Sequence, residues 1–172
     1  MLIRTAHAKE MPALMALMRR VVPLMLAGGN LQWDEEYPNE QVFRRDIELG
    51  QLWVAEQDDG AIAAVAAITF EQEPDYAQVG WDIHEPAVVV HRLAVDPAYR
   101  GAGLARALMQ HAETIARQRE IPVLRVDTSV QNAAAQSMFA KLGYTLAGEI
   151  SLRLRAGLRV LCYEKRLDLV AK

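Results

Sequence analysis

The chain has 172 residues, 52% hydrophobic and 24% charged, with a formal net charge of −3 at pH 7. This composition is that of an ordinary soluble globular protein, and the length favours a single domain over residues 1–172. The net acidity argues against a general nucleic-acid binder. The longest apolar runs, such as AIAAVAAI, fall far short of the roughly 20 residues needed to span a bilayer, so no membrane partner is expected.

The first half of the chain predicts a strand, two helices and a β-hairpin. LIRTA has the pattern of a short strand, and apolar residues then recur at helical spacing until Pro23, which should break or kink the helix. The polar stretch QWDEEYPNE leads to a second helix with Asn39 as its N-cap. Two further strands, QLWVAEQ and AIAAVAAITF, are joined by a hairpin turn at Asp58-Asp59-Gly60.

The second half predicts a central strand followed by two helices and three more strands. The β-branched run AVVVHRLAV suits a strand buried on both faces. Beyond a glycine-rich turn, apolar residues from Leu104 onward form one helical stripe. The strand PVLRVDT, a helix headed by Asn132, and two last strands that turn at Arg155-Ala156-Gly157 complete the chain. The order β-α-α-β-β-β-α-β-α-β-β predicts a mixed α/β fold with an antiparallel meander in the middle.

The stretch HRLAVDPAYRGAGLARALM joins a strand, a glycine-rich turn and a helix N-terminus, and this combination indicates an anion site. Gly101 and Gly103 let the backbone approach a ligand closely. The first amides of the following helix lack intrahelical acceptors, and the helix dipole favours negative charge there. Arg100 adds a formal positive charge. The residues therefore predict a pyrophosphate on the amides of Gly101 to Ala105.

Two common nucleotide-binding motifs fit this turn poorly. A P-loop would need Lys-Ser/Thr where the chain has Leu104-Ala105. A dinucleotide fingerprint would need a third glycine, and Arg106 stands in its place. A nucleotide-binding function based on this turn is therefore disfavoured.

The stretch resembles a known family instead. RGAGLA is similar to the Arg/Gln-x-x-Gly-x-Gly/Ala signature of the GNAT superfamily of N-acetyltransferases, and VLRVDTSVQNAAAQSMFAKLGY resembles the strand and helix that follow it there. The resemblance implies a mixed, mostly antiparallel twisted sheet of about seven strands flanked by about four helices. It also implies an acetyl-CoA-dependent acyltransferase that moves an acetyl group directly to an amine of a small molecule or peptide.

The resemblance implies a set of donor-binding residues. The glycine-rich turn would hold the CoA pyrophosphate, and the end of the central strand would run beside the pantetheine, where a backbone amide can polarise the thioester carbonyl. The Asn-headed helix would contact the pantetheine arm, although the same asparagine can simply cap that helix. The implied residues are Leu93, Ala94, Val95, Arg100, Gly101, Ala102, Gly103, Leu104, Ala105 and Asn132.

One position departs from the family pattern. The family often has a tyrosine seven residues after the asparagine, which protonates the departing thiolate, and this chain has Phe139 there. Tyr144, which closes the motif, is interpreted as a packing residue. A thiol has a pKa near 8.5, so the thiolate can leave near neutral pH without an acid. The departure keeps open a catalytically weak or inactive CoA-binding sensor or scaffold module.

A neutral amine nucleophile requires a base. An amine of pKa about 10.4 costs roughly 4–5 kcal/mol to deprotonate at pH 7, and a positioned base offsets part of this. His91, which alternates with Val89 and Leu93 on one strand face, and Glu85, just before the strand, are the two candidates. We expect one of them to deprotonate the acceptor.

The loop QWDEEYP is the predicted acceptor wall. In the fold that the resemblance implies, this loop often lines the acceptor site, so Trp33 and Tyr37 would line it and Glu35 would attract a cationic amine. The alternative is a solvated acidic loop with Trp33 packed on the core. The four histidines and one cysteine show no metal-ligand spacing, so no metal is expected. The lone Cys162 fits a reducing compartment and no signal peptide is visible, so we expect a cytoplasmic protein. A homodimer through the last strands is common in such folds.

Overall fold

The computed structural model describes residues 1–153, 155 and 157–169. In this described part of the chain, seven strands and four α-helices follow one another in the predicted order, with short 3₁₀ segments at Ala8–Glu10, Pro74–Val79 and Pro97–Tyr99. The elements are β1 (Leu2–Thr5), α1 (Met11–Ala27), α2 (Glu40–Glu48), β2 (Leu52–Glu56), β3 (Ile62–Thr69), β4 (Val88–Val95), α3 (Leu104–Gln118), β5 (Val123–Ser129), α4 (Ala133–Lys141), β6 (Thr145–Ser151) and β7 (Arg159–Arg166). The turn predicted at 155–157 includes Ala156, which lies outside the described residues.

The strands form one sheet with the order β1-β2-β3-β4-β5-β7-β6. Strands β1, β2 and β3 pair antiparallel, as do β5, β7 and β6. Strand β4 pairs in parallel with β5 over Val88–Val90, opposite Leu124–Val126. This mostly antiparallel, seven-stranded mixed sheet confirms the predicted fold class.

The described chain divides into two compact units, each with its own core. The first comprises Met1–Ile68 and His91–His111, and the second comprises Thr69–Val90 and the chain from Ala112 onward. In the first, α1 and α2 pack their apolar faces on β2 and β3; its core includes Leu14, Leu17, Val21, Trp33, Phe43, Val54 and Val65. In the second, the core includes Tyr76, Val89, Val123, Ile150, Val160 and Cys162.

Local sequence signals set most helix ends, with one exception. The Asn39 side chain accepts a hydrogen bond from the Val42 amide at 2.9 Å, as expected of an N-cap. Helix α1, however, continues through Pro23 to Ala27, so of the predicted break or kink, the break does not occur. Proline removes the hydrogen bond to the carbonyl four residues earlier and crowds that carbonyl, but only a single turn lies beyond it. That last turn closes normally, because the Gly28 amide donates to the carbonyl of Leu24 at 3.1 Å.

Among the described residues, every helix is too short or too polar to cross a lipid bilayer.

Candidate active site

Strand β4 is regular at its start and irregular near its middle. Val88, Val89 and Val90 are buried and pair with β5. Arg92 then has a φ of 53°, a left-handed conformation that costs a residue with a Cβ about 1–2 kcal/mol. Burial on both faces was predicted for the whole strand, but His91, Arg92 and Leu93 are partly exposed. The left-handed residue also interrupts the alternation predicted for His91 and Leu93, because that period requires extended backbone throughout.

The Arg92 side chain is held by three hydrogen bonds. Its Nε donates to Oδ2 of Asp46 and one terminal nitrogen donates to Oδ1, both at 2.7 Å. The other terminal nitrogen donates to the Tyr37 hydroxyl at 3.1 Å. Burial disfavours the guanidinium charge, but the contacts with Asp46 and Tyr37 outweigh it and raise the pKa of Arg92. Asp46, on α2, is almost fully buried, and its Oδ1 also accepts a hydrogen bond from the side-chain Nε2 of Gln51 at 3.0 Å.

The segment after β4 is fixed by Asp96. Its carboxylate accepts from the Ala98 amide at 2.9 Å and from two nitrogens of Arg20 at 2.6 and 2.9 Å. Burial raises the pKa of Asp96, but these donors more than reverse that effect and lower it. The Asp96 amide in turn donates to the carbonyl of Ala63 at 2.8 Å. These bonds tie the start of the glycine-rich turn to β3 and α1.

The two glycines of the turn are required by backbone conformation. Gly101 has a φ of 80° and Gly103 a φ of 78°, both in the left-handed region. A Cβ built on either would meet no heavy atom within 4 Å, so the space above the turn is open. Helix α3 begins directly afterwards at Leu104. The predicted juxtaposition of glycine turn and helix N-terminus is therefore present.

Part of the predicted amide cradle is used by the turn itself. The Arg100 amide donates to the carbonyl of Pro97 at 3.4 Å, and the Ala102 amide donates to that of Tyr99 at 3.2 Å. Helix geometry leaves the amides of Leu104 and Ala105 without intrahelical acceptors. The amides best placed for an anion are thus fewer than the sequence predicted.

Asn132 caps α4, within the second unit. Its side chain accepts from the Ala135 amide at 3.1 Å, and its own amide donates to Ser129 at 2.9 Å. Phe139 is buried, with ring centroids 5.4 Å from Tyr163 and 6.0 Å from Tyr144. Burial raises the pKa of Tyr144, whose hydroxyl has no hydrogen-bond partner among the described residues. A neutral, enclosed phenol agrees with its interpretation as a packing residue.

Glu85, in the second unit, is engaged by two arginines. One oxygen accepts from Arg125 at 3.0 Å and from Arg166 at 2.7 Å, and the other accepts from Arg166 at 3.2 Å. The hydrogen bonds from Arg166 are the largest influence and lower the pKa of Glu85. Arg125 is 1% exposed and also bonds Glu164 at 2.9 Å. A carboxylate held in this way is a weak proton acceptor.

The predicted acceptor loop belongs to the first unit, together with His91, the end of β4 and the glycine-rich turn. Trp33 is 5% exposed and lies in the core, whereas Glu35 is exposed. The Tyr37 ring packs against the same core and its hydroxyl accepts from Arg92. Asp34 shapes the loop, since its Oδ1 accepts from the amides of Glu36 and Tyr37 at 2.8 and 2.9 Å.

Arg92 and Asp46 are candidate functional residues that the sequence did not predict. A single arginine within an apolar strand needs a counter-charge when it is buried, so the strand pattern itself indicates an acidic partner for Arg92. The apolar positions that predict the second helix say nothing about Asp46. In the second unit, the buried Tyr76 hydroxyl donating to Asp127 at 2.5 Å was also missed. Among the described residues, no group of three or more His, Cys, Asp or Glu is arranged to hold a metal ion.

Comparison with known protein sequences finds relatives named as N-acetyltransferases. The chain is 27% identical over 142 residues to the uncharacterized N-acetyltransferase YesJ of Bacillus subtilis, covering 81% of this chain and 79% of that protein. It is 28% identical over 98 residues to a streptothricin acetyltransferase of Streptomyces lavendulae, covering 57% of this chain but only 46% of the relative.

Solved structures give the same result for the fold. A crystal structure of a GNAT-family acetyltransferase from Streptococcus agalactiae matches with a TM-score of 0.82 at 30% identity, over 97% of this chain and 95% of that one. The fold is also that of YncA from Salmonella typhimurium, a structure with acetyl-CoA, at a TM-score of 0.66, 20% identity, and coverage of 100% of this chain and 96% of that one. The model of the acetyltransferase (GNAT) family matches residues 18–144. The chain therefore belongs to the GNAT family, and it is an acetyl-CoA-dependent N-acetyltransferase.

Proposed function

We propose that this acetyltransferase transfers the acetyl group of acetyl-CoA to a small cationic amine. The observation that carries the donor side is the pair of left-handed glycines, Gly101 and Gly103, with open space above them and a helix starting at Leu104. Amides in this arrangement, close to the Arg100 charge, form a site for a diphosphate. The acceptor class is supported by the exposed acidic side chains of Glu35 and Glu36 in the loop before α2.

On the donor side, we assign the diphosphate to the amides of Gly101, Gly103, Leu104 and Ala105. The amides of the turn's other two residues already have acceptors in the chain. The end of β4, Leu93 to Val95, is the proposed partner of the pantetheine and of the thioester carbonyl. Asn132 stays a proposed pantetheine contact in addition to its role as a cap.

We propose His91 as the general base. The ammonium group of the acceptor first gives one proton to the His91 imidazole and becomes a neutral nucleophile. Its nitrogen then attacks the thioester carbon, the new C–N bond forms as the C–S bond breaks, and the departing CoA thiolate takes the second proton of the nitrogen. Glu85 is the weaker of the two predicted bases, because two arginines stabilise its ionised form.

The experiment is an acceptor screen with acetyl-CoA, followed by a pH–rate profile on the best amine. Acetylated product is identified by mass spectrometry and CoA release is measured with a thiol reagent. His91→Gln should lower kcat at least about 100-fold and remove the acidic limb of the profile, since general bases contribute about 10²–10⁴-fold. Glu85→Gln is the matched control and should keep that limb. An unchanged limb in His91→Gln would eliminate His91 as the base.

Two further points, on turnover and on location, accompany this proposal. The alternative that Phe139 kept open, a CoA-binding module without turnover, is not favoured, because the relatives are named as N-acetyltransferases. A cytoplasmic location is supported by the single buried cysteine, Cys162, which fits a reducing compartment.

A further inference from the structure

The Arg92 guanidinium is a charge that neither anion binding nor proton transfer requires. Its side chain is only 14% exposed, and it lies on the strand to which we assign the thioester. It spans two other elements of the first unit, because it bonds Asp46 on α2 and Tyr37 in the acceptor loop. We infer that Arg92 is a positioning residue that fixes Tyr37 relative to β4 and holds the left-handed turn of that strand.

The side-chain contacts leave little freedom to the guanidinium. A planar guanidinium bound through two nitrogens to one carboxylate has a defined orientation, which a lysine cannot reproduce. Asp46 is itself 3% exposed and bonded to Gln51, so it forms a rigid anchor. The donor directions of the remaining terminal nitrogen are then fixed in the guanidinium plane, and this nitrogen donates to the Tyr37 hydroxyl at 3.1 Å.

Tyr37 is thereby fixed from both of its ends. Its amide donates to Asp34 at 2.9 Å, its ring packs on the core, and its hydroxyl meets Arg92. An acceptor wall must hold the amine within a few tenths of an ångström of the attack geometry, and a 1 Å error can cost about 100-fold in rate. The Arg92–Tyr37 hydrogen bond connects this loop tyrosine directly to β4.

The same contacts explain the backbone of Arg92. A left-handed residue with a Cβ persists only when its surroundings over-determine it, and the anchored side chain supplies that constraint. The peptide that follows carries the amide of Leu93, at the strand end assigned to the thioester. This inference rests on the proposed function, because it takes the acceptor loop and β4 as the two sides of the reaction.

Four single variants and one double variant test it, with acetyl transfer to the best amine and CoA binding by calorimetry as separate readouts. Tyr37→Phe and Arg92→Lys should each raise KM for the amine and lower kcat/KM about 10-fold or more, with the Kd for CoA changed less than threefold. The double variant should be no worse than Arg92→Lys alone, because contacting residues couple. Arg92→Gly should retain a higher kcat than Arg92→Ala, since glycine adopts the left-handed φ without strain.

Arg4→Lys is the matched control. Arg4 lies on β1 of the same unit and bonds the carboxylates of Glu56 and Glu10, so it undergoes the same change of head group outside the proposed site, and the activity of Arg4→Lys should match wild type. If Arg92→Ala and Arg92→Gly do not fold, Tyr37→Phe and the coupling with Arg92→Lys decide. Additive effects, or an unchanged amine KM in Tyr37→Phe, would overturn the inference while leaving the proposed function intact. A wild-type chain that acetylates no amine would instead remove the proposed function.

Discussion

Replacing Gly103 with alanine separates backbone strain from ligand contact at the glycine-rich turn. In the free protein the added Cβ meets nothing within 4 Å, so the cost of Gly103→Ala comes from its φ of 78° alone. A left-handed alanine costs about 1–2 kcal/mol. With about 2.1 cal/mol/K of unfolding entropy per residue, a chain of 172 residues should lose about 3–6 °C in Tm.

The second effect appears only when CoA is present. The Cβ would enter the open space that we assign to the diphosphate, so we expect at least tenfold weaker CoA binding. At a CoA concentration of 100 times Kd, wild type should gain about 2.7 kcal/mol, or about 7 °C in Tm. A tenfold loss of affinity should remove about 4 °C of that gain. The assay is a thermal scan of each protein with and without CoA.

Gly60→Ala is the matched control, because Gly60 has a φ of 85°, open space around it and a place in the β2–β3 hairpin. It should show the same loss of Tm without CoA and the full gain with CoA. Acetyl-pantetheine, which lacks the diphosphate, should bind wild type and Gly103→Ala equally. If Gly103→Ala keeps the full CoA gain, the diphosphate does not lie on this turn.

Two further predictions concern stability. His111 stacks on Trp53 with ring centroids 4.3 Å apart, and burial lowers the pKa of its imidazole below 6.5. The contribution of His111 to stability is therefore full above about pH 6.5 and is lost as the pH falls through the lowered value. Urea midpoints should drop less between pH 7.5 and 5 in His111→Phe than in wild type, and equal drops would contradict this role of His111 in the pH dependence. Asp46→Leu should lower the free energy of unfolding by about 3–5 kcal/mol, because it leaves the buried Arg92 charge without its carboxylate. The double variant Arg92→Met with Asp46→Leu should regain most of that stability in urea unfolding without regaining acetyl transfer in the thiol-release assay. A stable double variant with full activity would mean that the pair serves packing alone.

Most of the fold was predictable because its signals are local. Asn39 and Asn132 predicted their helix caps from side-chain chemistry, and the Asp-Asp-Gly sequence predicted the hairpin between β2 and β3. The continuation of α1 through Pro23 was not predictable in the same way, because the cost of one missing hydrogen bond must be compared with the burial of the preceding turns, which only the folded chain shows.

The glycine-rich turn was predictable for a similar reason. A strand, two glycines and an amphipathic helix are contiguous in sequence, so their local geometry follows without any knowledge of distant contacts. The Arg92 contacts join residues 46 and 55 positions apart, and no local pattern selects Asp46 or Tyr37 from the other acidic and aromatic residues of the loop and helix. The geometry of the glycine-rich turn was therefore predictable from sequence, and the partners of Arg92 were not.

The two arginines within apolar strands nevertheless constrain which carboxylates can act as bases. Arg92 on β4 and Arg125 on β5 are both mostly buried, and a buried guanidinium requires an ionised partner. Arg92 takes Asp46, while Arg125 takes Glu164 and shares Glu85 with Arg166. Each of these carboxylates is ion-paired with an arginine, so using it as a base would break an ion pair as well as transfer a proton. Of the two bases that the sequence predicted, Glu85 carries this cost, because two arginines bind its carboxylate.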